Sequence, residues 1–117
     1  MKMVVKRNFK QISDGVSESY KNFILDDIND HCLRIAVMQG DYKWHFHKHT
    51  DELFIVLEGE LKIEIQDQDP VFLKPGEFIH IPAKTIHKTS AHIRTVNLTF
   101  EKNADDTIFV DEKRRDS

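Results

Sequence analysis

Short apolar segments, broken by turn signals about every 8 to 12 residues, restrict this chain to an antiparallel β architecture. "CLRIAVMQG" runs apolar up to Gly40, and "DYKWHFHKH" alternates Tyr42, Trp44 and Phe46 against Lys43, His45 and His47. "ELFIVLEGELKIEI" holds two β-rich runs around Glu58, Gly59 and Glu60. Glycine there supplies the positive φ that a tight hairpin needs. Pro75 and Gly76 stand where a type II turn wants them, and "EFIHIP" reads as the strand that follows. Beyond Pro82, "AKTIHKTSAH" leads into "IRTVNLTF", where Ile93, Thr95, Asn97 and Thr99 alternate with Arg94, Val96, Leu98 and Phe100. "DDTIFVDEK" offers one more short strand. Only "SESYKNFILDDI", residues 17–28, suggests a helical period, with Ser17 or Ser19 as its cap. About eight strands and little helix imply an all-β fold, an antiparallel β-barrel or double-sheet jelly roll.

The chain has 117 residues, which suits a single domain over residues 1–117 with one core. Its formal net charge is −3, from 17 basic and 20 acidic side chains spread along the sequence. No broad basic field exists to neutralise phosphates, so nucleic acid is not an expected partner. Lys113, Arg114 and Arg115 form the sole basic cluster, and flanking Asp111, Glu112 and Asp116 make it read as a solvated tail. Cys32 is alone, which rules out an internal disulfide; with apolar neighbours from Leu33 to Val37 it reads as a packed thiol in a reducing compartment. The first fifteen residues carry charges where a signal peptide needs an apolar core, and no segment has the apolar length of a membrane span. A cytoplasmic protein without a membrane partner is therefore expected.

The stretch "WHFHKHTDELF", Trp44 to Phe54, concentrates the chemistry. Strand side chains alternate faces, so His45 and His47 point one way and Trp44 and Phe46 the other. After a short turn Glu52, Phe54 and Val56 share a face, and Glu52 can turn back toward the histidine pair. Asp51 has the opposite parity: it either hydrogen-bonds a ligand imidazole or caps the turn. His49 falls where Thr50 and Asp51 already turn the chain, so it reads as a loop histidine. His87, on the far side of the expected barrel, is a further candidate. Imidazole and carboxylate together suit divalent first-row transition metals, although an isolated pair of alternate histidines more often marks only the polar rim of a strand.

Taken together, "WHFHKHTDELFIVLEGEL" resembles the first cupin motif, with His45, His47, Glu52 and Gly59 at the family's spacing. "PGEFIHIPAKTIH" resembles the second through Gly76, Pro82 and His87. In wording the chain is similar to small single-domain cupins related to mannose-6-phosphate isomerases, over roughly residues 31–100. The resemblance implies a cupin barrel in which His45, His47, Glu52 and His87 hold iron, manganese, nickel, cobalt or zinc, and it implies a homodimer. Three positions depart from the pattern: Gly40 sits one residue closer to His45, Lys84 replaces a glycine, and Ala91 replaces an asparagine.

Three neutral imidazoles and one carboxylate around a divalent ion leave a net charge of about +1, which favours an anionic oxygen ligand. The expected function is binding or transformation of an oxygen-rich anionic small molecule, of isomerase or dioxygenase type. A non-catalytic binding module and a metal-stabilised structural barrel are the alternatives. No cluster of Arg and Lys beside the ligands offers an obvious phosphate clamp, so sugar-phosphate isomerisation is not assigned from the resemblance alone.

Overall fold

A computed structural model describes residues 3–111. Lys113, Arg114 and Arg115 lie outside the described residues. One short helix, α1 (Phe9–Asp14), precedes β1 (Tyr20–Ile28), β2 (His31–Asp41), β3 (His45–His47), β4 (Glu52–Glu58) and β5 (Leu61–Ile65). Then come β6 (Val71–Leu73), β7 (Phe78–Ile81), β8 (His87–Lys102) and β9 (Thr107–Phe109). All pairings are antiparallel, in the order β1-β2-β8-β3-β9, with β4 bonded to β7 and β8, and β5 bonded to β6 and β8. The sheet curls into the antiparallel β-barrel expected from the alternation.

Strand β8 is the seam. The end of "AKTIHKTSAH", from His87, and "IRTVNLTF", read separately in the sequence, merge into a single 16-residue strand. Its first part pairs with β5 and β3 and its second part with β4, while β2 runs beside it from Ser90 to Lys102. Between Met38 and Gly40 of β2 the register against β8 shifts, since Met38 faces Thr95 and Gly40 faces Ala91. That bulge lets one strand serve both sides of the barrel.

The helix expected at residues 17–28 is instead strand β1, and the helix present is α1, capped by Asn8, whose side chain accepts from the Gln11 backbone N–H. Phe23 and Leu25 are half-buried at alternate positions, each flanked by exposed neighbours. That period of two matches a pleat, and pairing of Tyr20 to Ile28 with β2 supplies its hydrogen bonds.

Two apolar layers result. Met38, Phe54, Val56, Leu61, Ile63, Leu73, Ile81 and Ala91 fill the barrel interior. On the outer face, Val16, Ile35, Val37, Val96 and Leu98 form a second cluster, with Ile12 of α1 and half-buried Phe23, Leu25, Leu33, Ile55 and Leu57 against it. Arg94 ties α1 down by donating to Ser13 O (2.6 Å) and to Glu58 Oε2 (2.9 Å). Cys32 is buried in β2 as a free thiol, and burial pushes its pKa up. No helix among the described residues is long and apolar enough to cross a membrane.

Candidate metal centre

His45 and His47 stand on β3, Glu52 begins β4 and His87 begins β8. Direct pairing of His45 with His87 joins two of these strands. Each of the four side chains is buried and offers a ligand atom, and those atoms all lie within 4.8 Å of one another. The period of two puts His45 and His47 on the inner face, and register continues that face across β4 and β8, where Glu52 meets Glu101, Phe54 meets Thr99 and Val56 meets Asn97.

The imidazoles are oriented from behind. His45 Nδ1–H donates to Lys43 O (2.7 Å) and His87 Nδ1–H donates to Thr85 O (2.8 Å), so each Nε2 lone pair is left for the interior. His47 presents Nδ1 to Asp106 Oδ1 (3.4 Å) and to Thr107 Oγ1 (3.3 Å), and Nε2 to Glu52 Oε1 (3.1 Å). His87 Nε2 lies 3.4 Å from the same Glu52 oxygen and is buried without a hydrogen-bond partner. An orphaned buried nitrogen aimed at a carboxylate is a penalty that a cation between them would remove, so the donor set fits a divalent metal.

Without a metal the charges distribute unevenly. Burial, reinforced by neighbouring His87, pulls His45 down to about 4. For His47 burial acts in the same direction, but the Glu52 carboxylate outweighs it and raises the ring to about 9. Burial would raise Glu52, yet the hydrogen bond from His47 and the neighbouring His87 imidazole hold it at about 2. Burial and the neighbouring Glu52 carboxylate push Glu101 up to about 7. A metal ligated by His47 therefore has to displace a proton from it.

Of the quartet, His45, His47 and Glu52 line a cavity of about 520 Å³, together with Tyr20 and Asn22 of β1, Arg34 of β2, Tyr42 and Glu101. Tyr20 and Tyr42 stack at 5.7 Å, and Tyr42 meets the His45 ring edge-on at 5.2 Å. Thr99 and Asn97 line the deeper end.

Other sequence candidates fall outside the quartet. Asp51 caps the turn instead of contacting a ligand imidazole: it accepts from the Ala83 backbone N–H (2.9 Å) and pairs with exposed His80 (2.8 Å). His49 is an exposed loop residue whose backbone N–H donates to Asp106. His31 stacks on Phe100, His92 is exposed, and Trp44 is buried facing away from the histidines. Asp106 holds the position imagined for Asp51, since it accepts from His49 N and Thr50 Oγ1 and faces His47. Sequence reading passed over it, and also over Arg34 and Glu101. Glu101 was within reach, because the alternation of Thr95, Asn97 and Thr99 continues to it.

Lys84 does adopt the left-handed backbone that its glycine counterpart would favour (φ 69°), and its N–H donates to His47 O (2.7 Å). Ala91 sits in the apolar interior opposite Gly40, away from the quartet.

Comparison with known proteins agrees with this architecture. Residues 33–95 match the family model described as "Cupin domain". The chain is 43% identical over 107 residues to the uncharacterized protein YdbB of Bacillus subtilis (strain 168), covering 92% of this chain and 95% of that protein. A segment of 43 residues is 40% identical to the quercetin 2,3-dioxygenase of the same organism, covering 37% of this chain and 12% of the dioxygenase. The crystal structure of a cupin-2 domain containing protein from Shewanella frigidimarina superposes with a TM-score of 0.78 at 30% identity, over 83% of this chain and 94% of that one. With its motifs, its barrel and a relative matched over nearly full length, the chain belongs to the cupin family.

Proposed function

We propose that this cupin holds one divalent transition metal on His45, His47, Glu52 and His87, and that the site binds or transforms an oxygen-rich anionic small molecule in an isomerase or dioxygenase type of reaction. Residues 1–117 act as one domain in this reading. The carrying observation is the buried quartet itself, with ligand atoms within 4.8 Å and an orphaned His87 Nε2. When bound, an iron, manganese, nickel, cobalt or zinc ion supplies a Lewis acid. The chain's own residues do the rest: Lys43 O and Thr85 O fix the tautomers of His45 and His87, and Asp106 and Thr107 bracket His47. The cavity of about 520 Å³ beside the quartet has room for a small molecule.

Elemental analysis of the purified protein beside a His87→Ala variant tests the ligand set. About one metal per chain is expected in the parent, with content lowered at least about tenfold in the variant under dilute chelator. Equal content in the two proteins would refute His87 as a ligand. Turnover lost in His47→Ala with the fold retained marks an enzyme, whereas a small molecule bound and recovered unchanged marks a binding module.

The outer apolar layer, with Phe23, Leu25, Leu33, Ile55 and Leu57 only partly covered, supports a homodimer through that face. Sedimentation as a monomer at high concentration would rule it out. Buried, free Cys32 supports a reducing cytoplasmic setting; recovery of the native protein outside the cytoplasm would count against it.

A further inference from the structure

Two unlike groups line the cavity. One is His45, His47 and Glu52. The other is Arg34 of β2 beside Asn22 of β1, through register that pairs Ile24 with Arg34 and Arg34 with Thr99. Among the described residues, Arg34 is the only arginine lining the cavity, and no lysine lines it.

The guanidinium is anchored loosely. Its NH1 donates to the neutral Asn22 Oδ1 (2.9 Å), and its nearest carboxylate, Glu101, stands 3.5 Å from Nε. Charge-assisted N–H···O bonds run about 2.7–2.9 Å, so that contact falls short of one. Glu101 is also the direct cross-strand neighbour of Glu52, so its carboxylate lies between the arginine and the ligand set. The Arg34 side chain remains 34% exposed, and it lines the same cavity as His45, His47 and Glu52. A planar fork held in place by a neutral amide, on the wall of a small cavity, is suited to take a carboxylate in two parallel hydrogen bonds. A lone guanidinium without lysine support matches a carboxylate better than a doubly charged phosphate.

We propose that Arg34, positioned by Asn22, is the specificity determinant of this site and selects a small hydroxy- or oxo-acid whose chelating end meets the metal while a second carboxylate meets the guanidinium. The proposal rests on the metal reading above. It narrows the ligand from an oxygen-rich anion to a chelating dicarboxylate, and it gives β1 and β2 a recognition role distinct from that of the ligand strands.

The test uses the full chain loaded with cobalt(II), with cobalt content measured first. Lactate carries only the chelating α-hydroxycarboxylate, whereas malate and 2-hydroxyglutarate add a second carboxylate at two reaches. Calorimetric titration should show the better of the two dicarboxylates binding at least about tenfold more tightly than lactate, as a hydrogen bond between charged groups provides. In Arg34→Met that advantage should vanish, with cobalt content and lactate affinity retained, and Arg34→Lys should recover only part of it. If Arg34→Met does not fold, Arg34→Met combined with Glu101→Gln, which also removes the carboxylate nearest the arginine, replaces it. Equal affinities for lactate and both dicarboxylates in the parent, or an advantage that survives in Arg34→Met, would overturn the proposal. Absence of stoichiometric cobalt would overturn the metal reading itself and with it the chelating half of this one. The cobalt measurement tells the two failures apart.

Discussion

Lys84 shows how a single backbone angle can matter more than the side chain attached to it. Its φ of 69° lies in the left-handed region, where a non-glycine residue is strained by about 1–2 kcal/mol. Its side chain is exposed, while its N–H braces the carbonyl of His47. Lys84→Gly relieves that strain against a chain-entropy penalty of about 0.5–1 kcal/mol. Stability should therefore rise by about 0.5 kcal/mol, read as a higher urea midpoint at unchanged slope, with metal content unaltered. A lowered midpoint would mean that the lysine side chain itself holds the turn. At this scale His45, His47 and Glu52 were legible as like-facing donors from a period of two, whereas His87 joined them through the resemblance to the second cupin motif. Asp106 was not legible: it lies 59 residues from His47 in sequence, and no local pattern announces a bond across that distance.

Elements were read well where turn chemistry is local and poorly where pairing decides. The hairpin at Gly59 followed from glycine between two β-rich runs, whereas "SESYKNFILDDI" became β1 because β2 offers it an edge and its half-buried residues fit a pleat. Local propensity cannot anticipate that edge. The same long-range pairing makes Gly59 stricter than its sequence context suggests. It has φ 85°, and an added Cβ would lie 2.6 Å from Arg94 O and 2.8 Å from Thr95 Cα on β8, backbone atoms that cannot swing aside. Thr95 Oγ1 meanwhile accepts from the Glu60 N–H across the hairpin. Gly59→Ala therefore combines left-handed strain with overpacking and should cost about 2–4 kcal/mol in a denaturant titration. A loss below about 1 kcal/mol would show that the hairpin can move off β8 freely.

For the whole molecule, the buried quartet couples stability to pH. Glu52, held at about 2 against an ordinary 4.5, contributes stability above pH 4.5 that is lost as pH falls through 2. His45, lowered from 6.5 to about 4, stays neutral in the fold, so its contribution is lost as pH falls from 6.5 through 4. Glu101, raised to about 7, acts in the opposite sense: it stabilises at low pH and loses that effect as pH rises from 4.5 through 7. Between about pH 4.5 and 6.5 these last two oppose each other. Above pH 6.5 the balance is one-sided, because His47, raised from 6.5 to about 9, binds its proton more tightly in the fold than in the open chain. Its contribution is fully present below 6.5 and disappears as pH rises through 9. The metal-free protein should therefore melt at progressively lower temperature from pH 6.5 to 9, and His47→Gln, which cannot titrate, should flatten that limb. Metal affinity should run the other way and increase over the same interval, since the ion takes the place of the His47 proton. Melting curves of chelator-treated protein at four or five pH values, for the parent and His47→Gln, measure the slope directly. An identical alkaline slope in both would place the responsible proton elsewhere and remove the His47–Glu52 ion pair from the account of the metal-free barrel.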